Sequence, residues 1–144
     1  MTLKTSYNPD NIFAKILAGE MPCAKVYEDA GTLVIMDVFP QSRGHCLVIP
    51  RNGSTNLLGV APKDIGRLFG TVQRVAQAVD KVLRPDGIII TQLNGAPAGQ
   101  TVFHTHVHII PRYSDEPLKP HGGQADMADM DALMALAEKL RSAL

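Results

Sequence analysis

Three histidines at alternate positions are the residues of this 144-residue chain whose type and spacing best suit chemistry: His104, His106 and His108. Side chains alternate between the two faces of a β-strand, so a strand here would project all three imidazoles from one face, about 6.6–6.8 Å apart. Imidazole titrates near neutral pH, acts as a nucleophile and binds zinc. The spacing therefore predicts either a metal site or a site of nucleophilic and acid–base catalysis, in preference to a solvated polar strand face.

The neighbouring residues fit a strand that has one buried face. Thr105, Val107 and Ile109 would point away from the histidines, into a hydrophobic core. Upstream, His45 adjoins Cys46, but neighbours on a strand face opposite ways, which argues against a Cys–His nucleophile pair. We expect Cys46 to be a small buried hydrophobic residue, and His45 to matter if its face meets the three histidines.

Composition limits the class of protein. Residues 1–144 are expected to form a single domain, and 45% hydrophobic with 19% charged residues is an ordinary globular composition. Fourteen basic and fourteen acidic residues cancel, which argues against nucleic acid as a partner. No apolar run suggests a signal peptide or a membrane span, and two cysteines suggest no disulfide framework. The expected location is therefore the cytoplasm.

Hydrophobic periodicity and turn residues predict an α+β domain. We expect an antiparallel meander sheet of about five strands, one long helix from residue 62 to about 83, a short N-terminal helix and a C-terminal helix. The N-terminal helix is expected to begin at Asn8-Pro9, with Asn8 as its cap. The fourth strand, residues 88–93, is a continuous apolar run, which predicts burial on both faces. The fifth strand is expected to carry the histidines, and residues 126–144 the last helix.

Residues 99–112, Gly-Gln-Thr-Val-Phe-His-Thr-His-Val-His-Ile-Ile-Pro-Arg, resemble the signature of the histidine-triad (HIT) superfamily, in its Hint-like bacterial-type branch. Residues 12–16, 25–29 and 44–50 resemble further family segments and follow in the same order. The resemblance implies a HIT-like fold with a core over about residues 8–113 and a C-terminal extension over 114–144. It also implies a homodimer that binds a purine nucleotide, attacks its α-phosphate and needs no cofactor.

The resemblance implies roles for individual histidines and for one carboxylate. His106 stands at the position of the nucleophile, with His104 and His108 on either side and His45 as a fourth active-site histidine. For His106 to attack through one ring nitrogen, the other must hold the proton, and we expect a backbone carbonyl to accept it. Asp37 stands where the family binds ribose hydroxyls.

The rest of the expected pocket comes from two other regions of the chain. The base is expected to lie between apolar residues, which are Ile12, Phe13, Ile16 and Val38. The phosphate and leaving group are expected to meet a Gly-rich loop and the residues after it, which are Asn94, Gly99, Gln100, Thr101 and Val102. Thr101 or a flanking histidine would supply a hydrogen bond or proton to the leaving group.

Two positions depart from the family pattern. Leu93 stands where relatives usually place Asn or Gln near the phosphate. The usual Cys-x-x-Cys zinc pair is replaced by Asn11 and Ala14, so we expect no metal. The chain is thus expected to be a nucleotidyl hydrolase or transferase acting on phosphoramidates, adenylates or dinucleoside polyphosphates through a nucleotidyl-histidine intermediate. A binding or interaction module with little turnover is the alternative, and catalysis by a histidine-bound metal ranks third.

Overall fold

The computed structural model describes residue 3 and residues 6–121 and 126–144 of the chain. Over these residues the protein is an α+β domain with a five-stranded antiparallel sheet, which confirms the expected fold class. The helices are α1 (Ile12–Leu17), α2 (Pro62–Leu83) and α3 (Met130–Ser142). The strands are β1 (Lys25–Glu28), β2 (Thr32–Met36), β3 (Cys46–Pro50), β4 (Gly87–Thr91) and β5 (Val107–Arg112). Among these described helices, none is both long and apolar enough to span a bilayer.

The order of strands in the sheet is β1-β2-β3-β5-β4. The first three strands form the expected meander, and α2 then carries the chain past one strand position before β4 begins. β5 fills that position, so it pairs with a neighbour on each side, and His108 lies opposite both Leu47 and Thr91. The strand that contains the third histidine is therefore held in the interior of the sheet.

The expectation that one strand carries all three histidines is wrong in detail, because β5 begins only at Val107. Pairing of β5 with β3 reaches no further back than Val107 opposite Val48. Before that point the chain bonds to a loop instead: the amide of Thr105 donates to the carbonyl oxygen of Ser54 at 2.8 Å. His104 and His106 thus lie in the segment that leads into β5.

The expectation that the fourth strand is buried on both faces is also wrong. β4 is an edge strand, none of its five residues is buried, and Ile90 is 43% exposed. A continuous apolar run is typical of a buried central strand, but here it lies on an edge that pairs with no further strand among the described residues.

The sheet is covered on both faces. One face packs against α2 and α3, and Val34, Cys46 and Val48 lie in this larger core. The opposite face carries a smaller cluster in which Phe13 of α1 packs on Leu47 and its neighbours. Cys46 is fully buried, and burial raises the pKa of its thiol to about 12, so it is a hydrophobic residue as expected.

The N-terminal cap of α1 is Asn11, which corrects the expectation that Asn8 caps this helix. The side chain of Asn11 accepts a hydrogen bond from the amide of Ala14 at 2.9 Å, as an N-cap residue does. Asn8 accepts instead from the amide of Asp10 in the turn before the helix. α1 therefore starts at Ile12, which brings Phe13 over the histidine segment.

Candidate active site

A cavity of about 220 Å³ lies beside the histidine segment, between α1 and the chain that follows β2. Many of the residues expected at the site line it: Ile12, Phe13, Ile16, Asp37, Val38, Thr101, Val102, His106 and His108. His121 and Cys23 also line the cavity, and sequence reasoning gave neither a role. The cavity is therefore apolar at the α1 end and bears imidazoles and a carboxylate at the other.

His106 is held in one tautomer by the backbone. Its Nδ1 lies 2.6 Å from the carbonyl oxygen of His104, and a carbonyl only accepts, so Nδ1 carries the proton. Nε2 is then left with a lone pair, which is the form that the attack requires. Burial lowers the pKa of His106, and the ring of Phe13 packs edge-on at 4.8 Å between centroids. The imidazole is thus kept neutral and fixed in orientation.

His104 lies outside the cavity lining, with both ring nitrogens occupied. Nε2 donates to the carbonyl oxygen of Pro50 at 2.8 Å, and Nδ1 accepts from the hydroxyl of Tyr7 at 2.6 Å. The ring is fully buried. His104 is therefore suited to hold the backbone carbonyl that fixes His106, rather than to touch a substrate. Sequence reasoning missed Tyr7, because no local pattern links two residues so far apart in the chain.

A chain of hydrogen bonds fixes the protons on the other two histidines. The amide of Gln41 donates to Nδ1 of His45 at 3.0 Å, so the proton of this neutral ring is on Nε2. Nε2 of His45 lies 3.0 Å from Nδ1 of His108 and donates to it. His108 consequently carries its own proton on Nε2, as a donor at the cavity wall. His45 is fully buried and does not line the cavity itself, but it bonds to His108, which does.

The carboxylate of Asp37 is nearly enclosed by donors. Oδ1 accepts from the amide of Phe39 at 2.8 Å, and Oδ2 accepts from Nε2 of His121 at 2.6 Å and lies 3.4 Å from Nε2 of His45. Burial acts to raise the pKa of Asp37, but the bond from His121 and the nearby imidazoles hold it below its ordinary value. The same bond raises the pKa of His121.

The Gly-rich loop is tied together by Gln100, whose side chain is buried. Its Oε1 accepts from the amide of Gly95 at 2.8 Å, and its Nε2 donates to the carbonyl oxygens of Thr55 at 2.6 Å and Val102 at 3.0 Å. Gly95 and Gly99 have φ values of +92° and +102°, a conformation that glycine adopts without steric cost. Gln100 thereby sets the position of Thr101 and Val102 at the cavity.

Asn94 is likewise engaged away from the cavity. Its amide pairs with that of Gln92 through bonds of 2.9 and 2.7 Å, and its Oδ1 accepts from the amide of Leu57 at 2.9 Å. Asn94, Gly99 and Gln100 do not line the cavity, although all three were expected to contact the substrate. Asn94 and Gln100 therefore shape the loop, and the side-chain amides of Gln92 and Asn94, on either side of Leu93, bond to each other.

Comparison with known proteins agrees with this geometry. The family model described as HIT domain matches residues 18–115. The chain belongs to the HIT family. A structure of a HIT-like protein involved in cell-cycle regulation from Bartonella henselae, with an unknown ligand, has a TM-score of 0.91 and 41% identity, covering 97% of this chain and 100% of that one.

Two relatives of this HIT protein have activities in their names. Adenylylsulfatase HINT3 of Arabidopsis thaliana is 38% identical over 81% of this chain, which spans 62% of that longer protein. Adenosine 5′-monophosphoramidase hnt1 of Schizosaccharomyces pombe is 32% identical over 91% of this chain and 96% of its own length. Both names describe hydrolysis of an adenosine nucleotide conjugate, and the family includes nucleotide-binding proteins.

Four groups of this HIT domain resemble a metal site: atoms of Asp37, His45, His108 and His121 lie within 4.8 Å of one another. A ligating imidazole nitrogen must be unprotonated. His45 accepts a hydrogen bond at Nδ1, however, so its Nε2 keeps the proton and cannot bind a cation. The hydrogen bonds account for all four groups, and the expected absence of metal remains a prediction.

Stability toward acid should depend on His45 and His108. Burial lowers the pKa of His45 to about 4 and that of His108 to about 3, whereas both titrate near 6.5 in an unfolded chain. Below about pH 6.5 the unfolded chain binds protons that the folded chain does not. The free energy of unfolding should therefore decrease as the pH is lowered, by up to about 1.4 kcal/mol per pH unit for each histidine.

Urea unfolding between about pH 7 and pH 5 measures this loss. His121 has the opposite sign, because its pKa is raised: its contribution is complete below about pH 6.5 and is lost as the pH rises through its folded value. A free energy of unfolding that stays constant over this range would show that the buried imidazoles titrate normally.

Proposed function

We propose that this HIT domain cleaves nucleotide conjugates at the α-phosphate through a nucleotidyl-histidine intermediate on His106. The observation that carries the proposal is the bond from Nδ1–H of His106 to the carbonyl oxygen of His104, which leaves Nε2 unprotonated beside a cavity. A neutral imidazole suits attack on an anionic phosphate near neutral pH. The activities named for two relatives support hydrolysis of an adenosine nucleotide as the reaction class.

The cavity offers a complementary surface to each part of a nucleotide. Ile12, Phe13 and Ile16 supply the apolar wall for a purine base, and Asp37 is the acceptor for the two ribose hydroxyls. The α-phosphate would then lie between these groups and His106. In this arrangement the leaving group would lie near Thr101, an exposed residue at the mouth of the cavity.

The reaction takes two displacements. In the first, a P–N bond forms between Nε2 of His106 and the α-phosphorus while the bond to the leaving group breaks. The proton on Nε2 of His108 stabilises charge on a non-bridging oxygen, and Thr101 donates a hydrogen bond to the departing atom, which takes a proton from solvent if it is an amine. In the second displacement, water attacks the phosphorus, the P–N bond breaks, the proton of the water passes to solvent, and the nucleoside monophosphate leaves. Nδ1 keeps its proton against the carbonyl oxygen of His104 throughout.

Adenosine conjugates are the first substrates to test. The relatives' names indicate a sulfate leaving group in one case and an amine in the other. The alternative, a nucleotide-binding module with little turnover, is supported by Leu93, whose apolar side chain cannot donate to a phosphate oxygen or a leaving group, and by the bonds that join the neighbouring amides of Gln92 and Asn94 to each other.

Turnover should depend on His106 more strongly than on His104. His106→Ala should reduce kcat with adenosine 5′-phosphoramidate and adenylylsulfate by at least about a thousandfold, because no other unprotonated nitrogen takes its place. AMP affinity should change by less than about threefold, since the base and ribose contacts remain. Steady-state kinetics and calorimetry measure the two effects.

His104→Gln is the matched control. It removes an imidazole that does not line the cavity, so it should lower kcat less than His106→Ala and should lower the melting temperature. Loss of AMP affinity in step with kcat in the His106 variant would instead favour a purely binding role, and absence of turnover in the wild type would favour the alternative function.

The same proposal includes a homodimer joined along β4. An edge strand with an apolar run presents unpaired backbone groups and apolar side chains to a second copy. Antiparallel pairing of two β4 strands would make one continuous sheet and would cover Ile90.

Ile90→Asp should convert the dimer to a monomer, because two carboxylates would meet near the symmetry axis. Sedimentation velocity at several concentrations measures the change. Met134→Asp is the control, since Met134 is also an exposed apolar residue, at 51%, but lies on α3. Dimers in both variants, or a monomeric wild type, would contradict an interface at β4.

A further inference from the structure

The proposed ribose acceptor is not open to solvent. The side chain of Asp37 is 5% exposed, and each of its oxygens already has a donor. Its partner on the cavity side is His121, whose side chain is 27% exposed and which also lines the cavity. A ribose that approached Asp37 through the cavity would meet the imidazole of His121 first.

Described residues on either side of His121 in the sequence bond to the stretch that follows β2. Before His121, the amide of Lys119 donates to the carbonyl oxygen of Gln41 at 2.8 Å, and the side chain of Gln41 donates back at 3.2 Å. After it, the amide of Ala128 donates to the carbonyl oxygen of Val38 at 2.9 Å. The partners in these bonds, Gln41 and Val38, lie within four residues of Asp37 in the sequence, so the fold holds His121 next to Asp37.

We propose that His121 is a specificity-determining residue of the ribose subsite, which occupies the Asp37 carboxylate until a ribose 2′,3′-diol displaces it. The inference rests on the proposed function, because it takes Asp37 as the ribose acceptor. Two hydroxyls can replace the bond that His121 gives up, whereas a sugar without them cannot. His121 therefore lowers nucleotide affinity, and a ligand needs the diol to free the Asp37 carboxylate from His121.

Charge explains why the competitor is effective. The hydrogen bond to Asp37 raises the pKa of His121, which favours the imidazolium, so a ligand must separate an ion pair rather than a neutral contact. The other titratable groups around this pair are His45, His106 and His108, whose pKa values are all lowered by burial. His121 is thus the imidazole of the described cavity lining that is suited to carry charge near neutral pH.

The apparent affinity of a site that is open for only a fraction of the time is reduced by that fraction. Removing the competitor in His121→Ala should tighten AMP binding by about ten- to a hundredfold, the range expected for one lost charge-assisted bond. Binding of 2′,3′-dideoxy-AMP should change by less than about threefold, since it gains nothing from a free carboxylate. Calorimetry with the 144-residue chain measures both ligands, and thermal melting verifies that the variant is folded.

Lys119→Ala is the matched control. It removes a positive charge from the same segment, which is held there through backbone groups, and AMP affinity should stay within about twofold. Weaker or unchanged AMP binding in His121→Ala would overturn the proposal. Equal tightening of the dideoxy ligand would also overturn it, because His121 would then block space rather than compete for the carboxylate.

The same data separate this inference from the function on which it rests. If AMP and dideoxy-AMP bind equally to His121→Ala, Asp37 does not hold the diol and the proposed ribose subsite fails. If AMP binds this variant more tightly than dideoxy-AMP but no more tightly than it binds the wild type, the ribose subsite stands and the role of His121 fails.

Discussion

The hydrogen bond between Nδ1 of His106 and the carbonyl oxygen of His104 is the interaction on which the site depends. It selects the tautomer that leaves Nε2 free, and it comes from the backbone, so no titration can remove the acceptor. The carbonyl is held in turn by the fold, since the His104 ring is fixed between Tyr7 and Pro50 and the amide of Thr105 is bonded to Ser54. The geometry at His106 is thus set by the fold itself.

The two polar clusters at the cavity, His45 with His108 and Asp37 with His121, differ in burial and charge. The relay from Gln41 through His45 to His108 is buried and neutral, and it ends in one donor at the cavity wall. In the pair formed by Asp37 and His121, the hydrogen bond raises the pKa of His121, whose side chain is partly exposed, while Asp37 is buried. The first is suited to a fixed contact with a phosphate oxygen. The second is suited to exchange with a ligand, because the side chain of His121 is partly exposed and water can solvate its imidazole once the bond to Asp37 is broken.

Much of the site could be predicted because its signal is local. Alternate histidines after a Gly-Gln turn and before an apolar strand identify the residues around His106, and cavity residues such as Phe13 and Asp37 were found by resemblance. Tyr7 and His121 were missed, since each meets its partner only through the fold and neither belongs to a sequence motif. β4 was misjudged because an apolar run looks the same at a sheet edge as in its interior.

The most direct test of the account is to capture the intermediate. Acid would destroy a P–N bond, so the wild-type reaction with adenosine 5′-phosphoramidate should be stopped with base during turnover, digested and analysed by mass spectrometry. The account predicts one adenylyl group, carried on His106 and absent from His106→Ala. An adduct on His104 or His108, or rapid turnover with no adduct at any time, would contradict it.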